Sequence, residues 1–207
     1  DGRVRINIGE SVQLFAHNRD VDRINGEELS KLDDSDHSFK AVDKGTDNYL
    51  RMLQSSCSAP SYLILKRNAQ ILLTKNIDVA KGLVNGARGV VSDFTPRHGY
   101  PIIRFDNGET KTITPVAHKI FVGAMEVANR TQIPCCLGWG MSIHKAQGMS
   151  IDKATLHLNR VFEVGQVYVA LSRVRSIDGL SLDAPLREDQ VNAHPKAKQF
   201  YENLTKK

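Results

Sequence analysis

The chain has little cysteine: only Cys57, Cys135 and Cys136 among 207 residues. An odd count with no CxxC pair excludes a disulfide framework or a zinc ribbon and points to a reduced, intracellular compartment. Cys135-Cys136 sits in an apolar stretch and reads as a pair of thiols packed as small hydrophobes. No run of about 18 apolar residues occurs, so no segment reads as a membrane span. No Gly-x-x-x-x-Gly-Lys-Ser/Thr occurs either: Gly138-Trp139-Gly140 lacks both the spacing and the ending. Nor does an apolar strand end in an acidic pair suited to Mg²⁺. The chain opens on Asp1 with no basic-then-apolar leader, and reads as an excised piece of something longer without a signal peptide.

What is present is ordinary globular material. Hydrophobic residues make up 41% and charged residues 25%, which excludes a disordered or fibrous chain. The length suits one large domain or two small ones. The net charge of +5 is unevenly spread: residues 1–60 carry 8 Lys/Arg against 11 Asp/Glu, and residues 61–207 carry 20 against 12. A basic excess confined to the later part is compatible with a polyanion partner.

Periodicity divides the chain into two textures. Val4, Ile6 and Ile8 alternate loosely, and Val12–Ala16 is an apolar run of strand length. Asp20 follows as a helix N-cap, with Val21, Ile24, Leu29 and Leu32 giving a helix over 20–32. Residues 33–38 read as loop, a short helix is expected around Tyr49–Leu53, and Pro60 marks a break. From 61 to about 122 the texture is β: Leu63–Leu65, Ile71–Leu73, Gly89–Val91, and two runs flanking Asp106-Asn107-Gly108, a hairpin signature. Residues 63–130 carry 10 basic and 5 acidic residues, and close-set strands suggest a small antiparallel barrel. After 131 strand and helix alternate again. Ile133–Met141 reads as one buried strand, Ala154–Leu158 as a second and Leu180–Leu182 as a third. Val164, Val167, Tyr168, Leu171 and Val174 mark an amphipathic helix, and 195–204 a terminal one. This order favours a parallel α/β layer formed by 1–62 with 131–207, the β-rich segment 63–130 being inserted.

Three segments carry chemistry. Ser142-Ile143-His144-Lys145-Ala146-Gln147-Gly148-Met149-Ser150-Ile151-Asp152 follows a buried run, on the loop leaving a strand's C-terminal end. Its hydroxyl, imidazole, ammonium and amide groups suit phosphate oxygens; a solvated helix start with a core-satisfied histidine would use the same residues. Gly165–Ser176 places Gln166 and Arg173 seven apart on one helical face, roughly opposite the Val164/Tyr168/Leu171 stripe. From there the planar fork of Arg173 could reach a phosphate across a cleft, or simply face solvent. Gly82-Leu83-Val84-Asn85-Gly86-Ala87-Arg88-Gly89-Val90-Val91 implies a tight turn into a strand, with Arg88 placed to meet a backbone phosphate; architecture alone would also explain its glycines.

Together these segments resemble the petite-integration-frequency (Pif) family of DNA helicases, class B of helicase superfamily one. SIHKAQGMSID is similar to that family's fifth helicase motif, GQVYVALSRVRS to its sixth, and LFAHNRDVDRIN, residues 14–25, to its fourth. LVNGARGVV, with Lys75-Asn76 before it, is similar to the family's inserted barrel. The resemblance implies an α/β fold. The second RecA-like motor domain would be 1–62 with 131–207, and a Src-homology-3-like β-barrel would be inserted at 63–130. It implies that Arg173 is the arginine finger on the γ-phosphate of ATP, with Gln166 and Tyr168 supporting its helix. Gly148 and Gln147 would link nucleotide state to DNA grip. His17, Asn18, Ser142, His144 and Lys145 would lie along the phosphates of single-stranded DNA.

The elements expected to hold ATP and Mg²⁺ belong, in this superfamily, to the first RecA-like domain, so this chain alone should not hydrolyse ATP. The parent would be a monomeric 5′-to-3′ helicase on single-stranded DNA and junctions, serving repair, recombination or telomere maintenance inside the cell, in the nucleus and/or mitochondrion if eukaryotic. A non-catalytic single-stranded nucleic-acid-binding module, a RecD-type enzyme and a rolling-circle transposase helicase are the competing readings.

Overall fold

The computed structural model describes residues 11–191 and 195–204; the expected alternation through Val4, Ile6 and Ile8 lies outside them. In chain order, β1 (Val12–Phe15) leads to α1 (Asn18–Ser30), and β2 (His37–Lys40) and β3 (Val42–Gly45) precede α2 (Asp47–Ser56). Then come β4 (Tyr62–Leu65), β5 (Gln70–Leu73), β6 (Arg88–Phe94), β7 (Pro101–Phe105) and β8 (Thr110–Thr112). A long hairpin follows, β9 (Val116–Val122) and β10 (Met125–Gln132), then β11 (Cys135–Leu137) and β12 (Gly140–Ser142). The chain continues through β13 (Ala154–His157), α3 (Gln166–Leu171), β14 (Leu180–Leu182) and α4 (Pro195–Leu204). It divides into two compact units: one takes the residues up to Ile24 with those from Trp139 onward, the other Asn25–Gly138.

The first unit is α/β. Its four strands are all parallel, in the order β12-β1-β13-β14. Val12, Leu14, Met141, Ala154 and Leu156 are buried along one face, and Phe15 and Ser142 on the other, the loading expected of a sheet covered on both faces. Close packing shows at Gly140, where a Cβ would run into the Ile24 side chain of α1. That helix begins at Asn18, so Asp20 is not its N-cap. Asp20 lies in the first turn, where its charge complements the helix dipole.

The second unit is antiparallel: a five-stranded sheet in the order β11-β5-β6-β7-β8, a three-stranded sheet β3-β10-β9, and the pair β2-β4. The Asp106-Asn107-Gly108 turn does join two paired strands, with Gly108 at φ 89°. Leu63, Leu65, Ile71, Leu73, Val91, Ile103 and Phe105 are buried.

Two expectations fail here for identifiable reasons. Ile133–Met141 is not one strand. Residues 135–137 pair antiparallel with β5 and residues 140–142 pair parallel with β1, and the break falls at Gly138, whose Cα lies against the backbone of Ile71. Residues 37–62, expected with the α/β part, pair instead with the β-rich part: β2 with β4, and β3 with β10. Two buried polar side chains of β10 hold them there. Arg130, 2% exposed, donates from Nε and Nη2 to both Asp43 carboxylate oxygens at 2.8 and 2.7 Å, and from Nη1 to the Ala59 carbonyl at 3.0 Å. Gln132 donates to the carbonyls of Phe39 and Pro60, each at 3.0 Å. Of the cysteines, Cys135 is fully buried, which pushes its thiol well up, while Cys136 is half-buried.

Removing one partner strands the other. Arg130→Met leaves the Asp43 carboxylate in a largely covered site, and urea denaturation should show a loss of about 3 kcal/mol. The guanidinium holds the Asp43 carboxyl below its ordinary value, so its contribution is complete above about pH 3.9 and fades as pH falls through the lower folded-state value. Asp43→Asn should abolish that acid-side slope. His118 acts at higher pH. Burial, with the charges of Lys75 and Arg130, holds its imidazole down from 6.5 to about 4. The unfolded chain therefore binds the proton first, and stability should fall as pH drops from 6.5 towards 4. His118→Leu should flatten that window, and an NMR titration should find His118 neutral at about pH 6.

Candidate nucleic-acid interface

Parallel strands deliver their following loops to one edge, where α/β sheets place ligands. At this edge β1 ends beside His17 and Asn18, both exposed; β12 ends at Ser142; β13 ends at His157; and Asp183 follows β14. Residues 142–149 are wound in successive turns, with Ala146 N–H on the Ser142 carbonyl at 3.0 Å, Gln147 N–H on His144 at 3.2 Å, and Met149 N–H on Ala146 at 3.0 Å. Ile143, Ala146 and Met149 are buried anchors, so His144, Lys145 and Gln147 face outward between them. Gly148 closes the segment at φ 78°, a left-handed backbone that side chains disfavour. Ser142 is buried and its Oγ accepts the Lys145 N–H at 3.4 Å, so it shapes the turn instead of facing solvent.

The loop after β13 joins this group. Glu163 Oε2 lies 2.7 Å from His144 Nε2. The Phe162 ring stacks on His17, centroids 4.8 Å apart and planes 13° from parallel, and lies 6.3 Å from the His144 ring. His17 and His144, 127 residues apart in sequence, thus meet around one phenyl ring that the sequence reading passed over. Its only signal is position, two residues beyond Asn159-Arg160 and just ahead of the Gly165 segment.

The amphipathic helix expected through Val174 is only six residues long, Gln166–Leu171, and of the expected stripe only Val167 is fully buried. Gln166, 4% exposed, is inside with Val167 and Ala170; Val164 is exposed and Tyr168 is 75% exposed. The cause is local: the Gln166 Oε1 accepts the Phe162 N–H at 3.2 Å, folding the loop back over the helix start. The Gln166 Nε2 is buried with no partner among the described residues. Arg173 lies past the helix end. Its Nε donates to the Val169 carbonyl at 3.1 Å and its Nη2 to the Ser172 Oγ at 2.9 Å. Among the described residues no carboxylate pairs with its guanidinium, and the side chain is part-exposed.

A cleft of about 760 Å³ opens at the same edge, lined by Phe15, Arg19, Arg23, His157, Arg160 and Asp183 among others. His157 stacks on Phe15 at 4.3 Å and sits between Asp183 Oδ2 and Gln13 Oε1, each at 3.0 Å. The sequence reading passed over these residues as well, because they converge only when β1, β13 and β14 pair. Arg88 is elsewhere, in the second unit; its side chain is largely covered and lies 3.7 Å from Asp106. Among the described residues no group of three or more His, Cys, Asp or Glu side chains could hold a metal ion, and no helix is long and apolar enough to cross a membrane.

Fold and edge define a class: a parallel α/β domain that gathers basic, amide and aromatic groups on the loops leaving its strands, joined to an antiparallel β unit. Residues 48–94 of that second unit match the family model described as DNA helicase Pif1, 2B domain. The ATP-dependent DNA helicase PIF1 of Xenopus laevis is 39% identical over 198 residues, covering 95% of this chain and 31% of that protein. Among solved structures, unliganded Pif1 from Bacteroides sp. superposes with a TM-score of 0.80 at 26% identity over 99% of this chain and 48% of that one. Pif1 from Bacteroides in complex with ADP-AlF3 and ssDNA gives a TM-score of 0.64 at 26% identity, covering 96% and 46%. The chain belongs to the Pif1 helicase family, and it spans about a third of the length of the curated relatives it matches.

Gln166→Leu keeps the volume but removes the acceptor of the Phe162 N–H. It should destabilise the fold by about 1–3 kcal/mol in urea titrations.

Proposed function

We propose that this chain is the second RecA-like motor part of an ATP-dependent DNA helicase that moves 5′ to 3′ along single-stranded DNA. The parallel unit would be the motor part, and the antiparallel unit, with its Src-homology-3-like five-stranded sheet, the insertion. The observation that carries the reading is Arg173: a part-exposed guanidinium, fixed by the Val169 carbonyl and the Ser172 hydroxyl and met by no carboxylate among the described residues. An arginine held in this way suits the charge that gathers on a transferring γ-phosphate, which is the chemistry bound ATP supplies. Mg²⁺ ligands fit this chain poorly, since the described residues offer no acidic cluster; they would come, with the phosphate-binding loop, from the first motor domain. The chain alone would then be inactive.

His17, Asn18, His144 and Lys145 would hold the strand's phosphates, a sequence-blind grip appropriate to a translocase. Ser142 would serve that grip through the Lys145 amide. Arg88 would join it only by leaving Asp106. Gly148 and Gln147 would link that grip to the arginine, and Tyr168 and Gln166 would support the arginine's helix, Gln166 from inside. The Pif1 complex with ADP-AlF3 and ssDNA supports both ligand classes. The parent would act as a monomer on single strands and junctions in repair, recombination or telomere maintenance, in the nucleus or mitochondrion if eukaryotic.

The test joins this chain to the first motor domain of a Pif1 helicase and measures DNA-stimulated ATP hydrolysis. Arg173→Ala should lower the turnover rate by about 10³–10⁵-fold with the complex intact. A rate indifferent to that change would remove the finger assignment.

A further inference from the structure

We propose that Phe162 is a nucleobase-stacking platform within the single-strand interface, flanked by the groups that take the phosphates. The inference rests on the single-strand reading above and adds a contact to the bases themselves.

Phe162 is fixed on several sides yet left open. Its ring lies flat on His17, its backbone N–H is held by Gln166, and its neighbour Glu163 is bonded to His144 at 2.7 Å. Despite this the side chain is 58% exposed. A large apolar ring immobilised at the surface gains little for the fold, since the hydrophobic contribution scales with area removed from water. It does offer a flat, pre-oriented face at no further ordering cost.

The surroundings identify the occupant. His17, Asn18, His144 and Lys145 are exposed on the same strand-end edge, and Arg160, two residues before Phe162, is exposed too. An apolar ring set among hydrogen-bond donors and cationic side chains matches a ligand that alternates anionic links with flat aromatic groups. Single-stranded nucleic acid has that chemistry, and base-on-aromatic stacking tolerates any sequence because every base has a π-face. The His17–Phe162 stack would lengthen by one ring, the base continuing the pile on the open side. A purely apolar partner surface would instead meet five polar or charged neighbours and leave them desolvated.

The test measures fluorescence anisotropy of the 207-residue chain at low salt with two labelled strands of equal length, oligothymidine and a strand of abasic sites. Wild type should prefer the base-bearing strand. Phe162→Ala should weaken oligothymidine binding about tenfold to a hundredfold and leave the abasic strand unchanged. Phe162→Trp should retain the preference, and Phe162→Leu, which keeps an apolar side chain, should lose it. Lys145→Ala should weaken both strands alike. If Phe162→Ala weakened both strands equally, or neither while Lys145→Ala still weakened both, stacking would be wrong and the strand reading would stand. Absence of binding to either strand would overturn both.

Discussion

The parallel register of β1 between β12 and β13 is the constraint on which the interface depends. Phe15 is level with Ser142 on one side and with His157 on the other. β1 and two strands more than a hundred residues further along the chain therefore end at the same height, and each releases its loop at one edge. A slip of one residue would turn the inward Leu14, Met141 and Leu156 outward, so burying these side chains is also what aligns His17, His144 and Phe162.

The antiparallel unit is held by a different device. Where the parallel sheet is fixed by apolar burial, β10 turns Ala128, Arg130 and Gln132 inward. Arg130 and Gln132 satisfy carbonyls and a carboxylate that three other segments could not satisfy among themselves. A buried ion pair is weak evidence for net stability, because desolvation offsets most of the attraction. What this one does supply is geometry: the guanidinium fork accepts one arrangement of Asp43 and Ala59, and so specifies where β3 and the segment before β4 lie.

The same contrast explains what could be read from the residues. Val12–Phe15, Leu63–Leu65, Ile71–Leu73, the Asn107-Gly108 hairpin and Ala154–His157 announce themselves by apolar runs and turn chemistry, and all form as expected. β10 does not, since its inward face carries arginine and glutamine where a period-two pattern would need apolar side chains. Residues 37–62 were misassigned for the same reason: nothing local says that Asp43 waits for an arginine 87 residues away. At the edge, His17, His144 and Lys145 were legible by residue type. The grouping of His17 and His144 around Phe162, and the inward turn of Gln166, depend on a loop closing on itself through one side-chain oxygen. The apolar spacing of Val164, Tyr168 and Leu171 is real, but the left-handed Gly165 starts the helix too late for that stripe to become its buried face.

One connection bears on how the two ends of this unit could act together. Ile151, at the close of the segment carrying His144 and Lys145, donates its N–H to the Arg173 carbonyl at 2.9 Å and accepts the Arg175 N–H at 3.0 Å. The 142–151 segment and Arg173 are thus joined through main chain, by a short parallel bridge between Ile151 and Val174. Ile151 is buried, so water cannot easily compete for these bonds. On the proposed reading, the 142–149 turns reach residue 173 through backbone alone, and Gly148, left-handed at φ 78°, lies on that path. Grip and arginine, on that same reading, need no side-chain wire between them, because the connection runs along the backbone from Ser142 to Ile151 and across one hydrogen bond to Arg173 and one from Arg175.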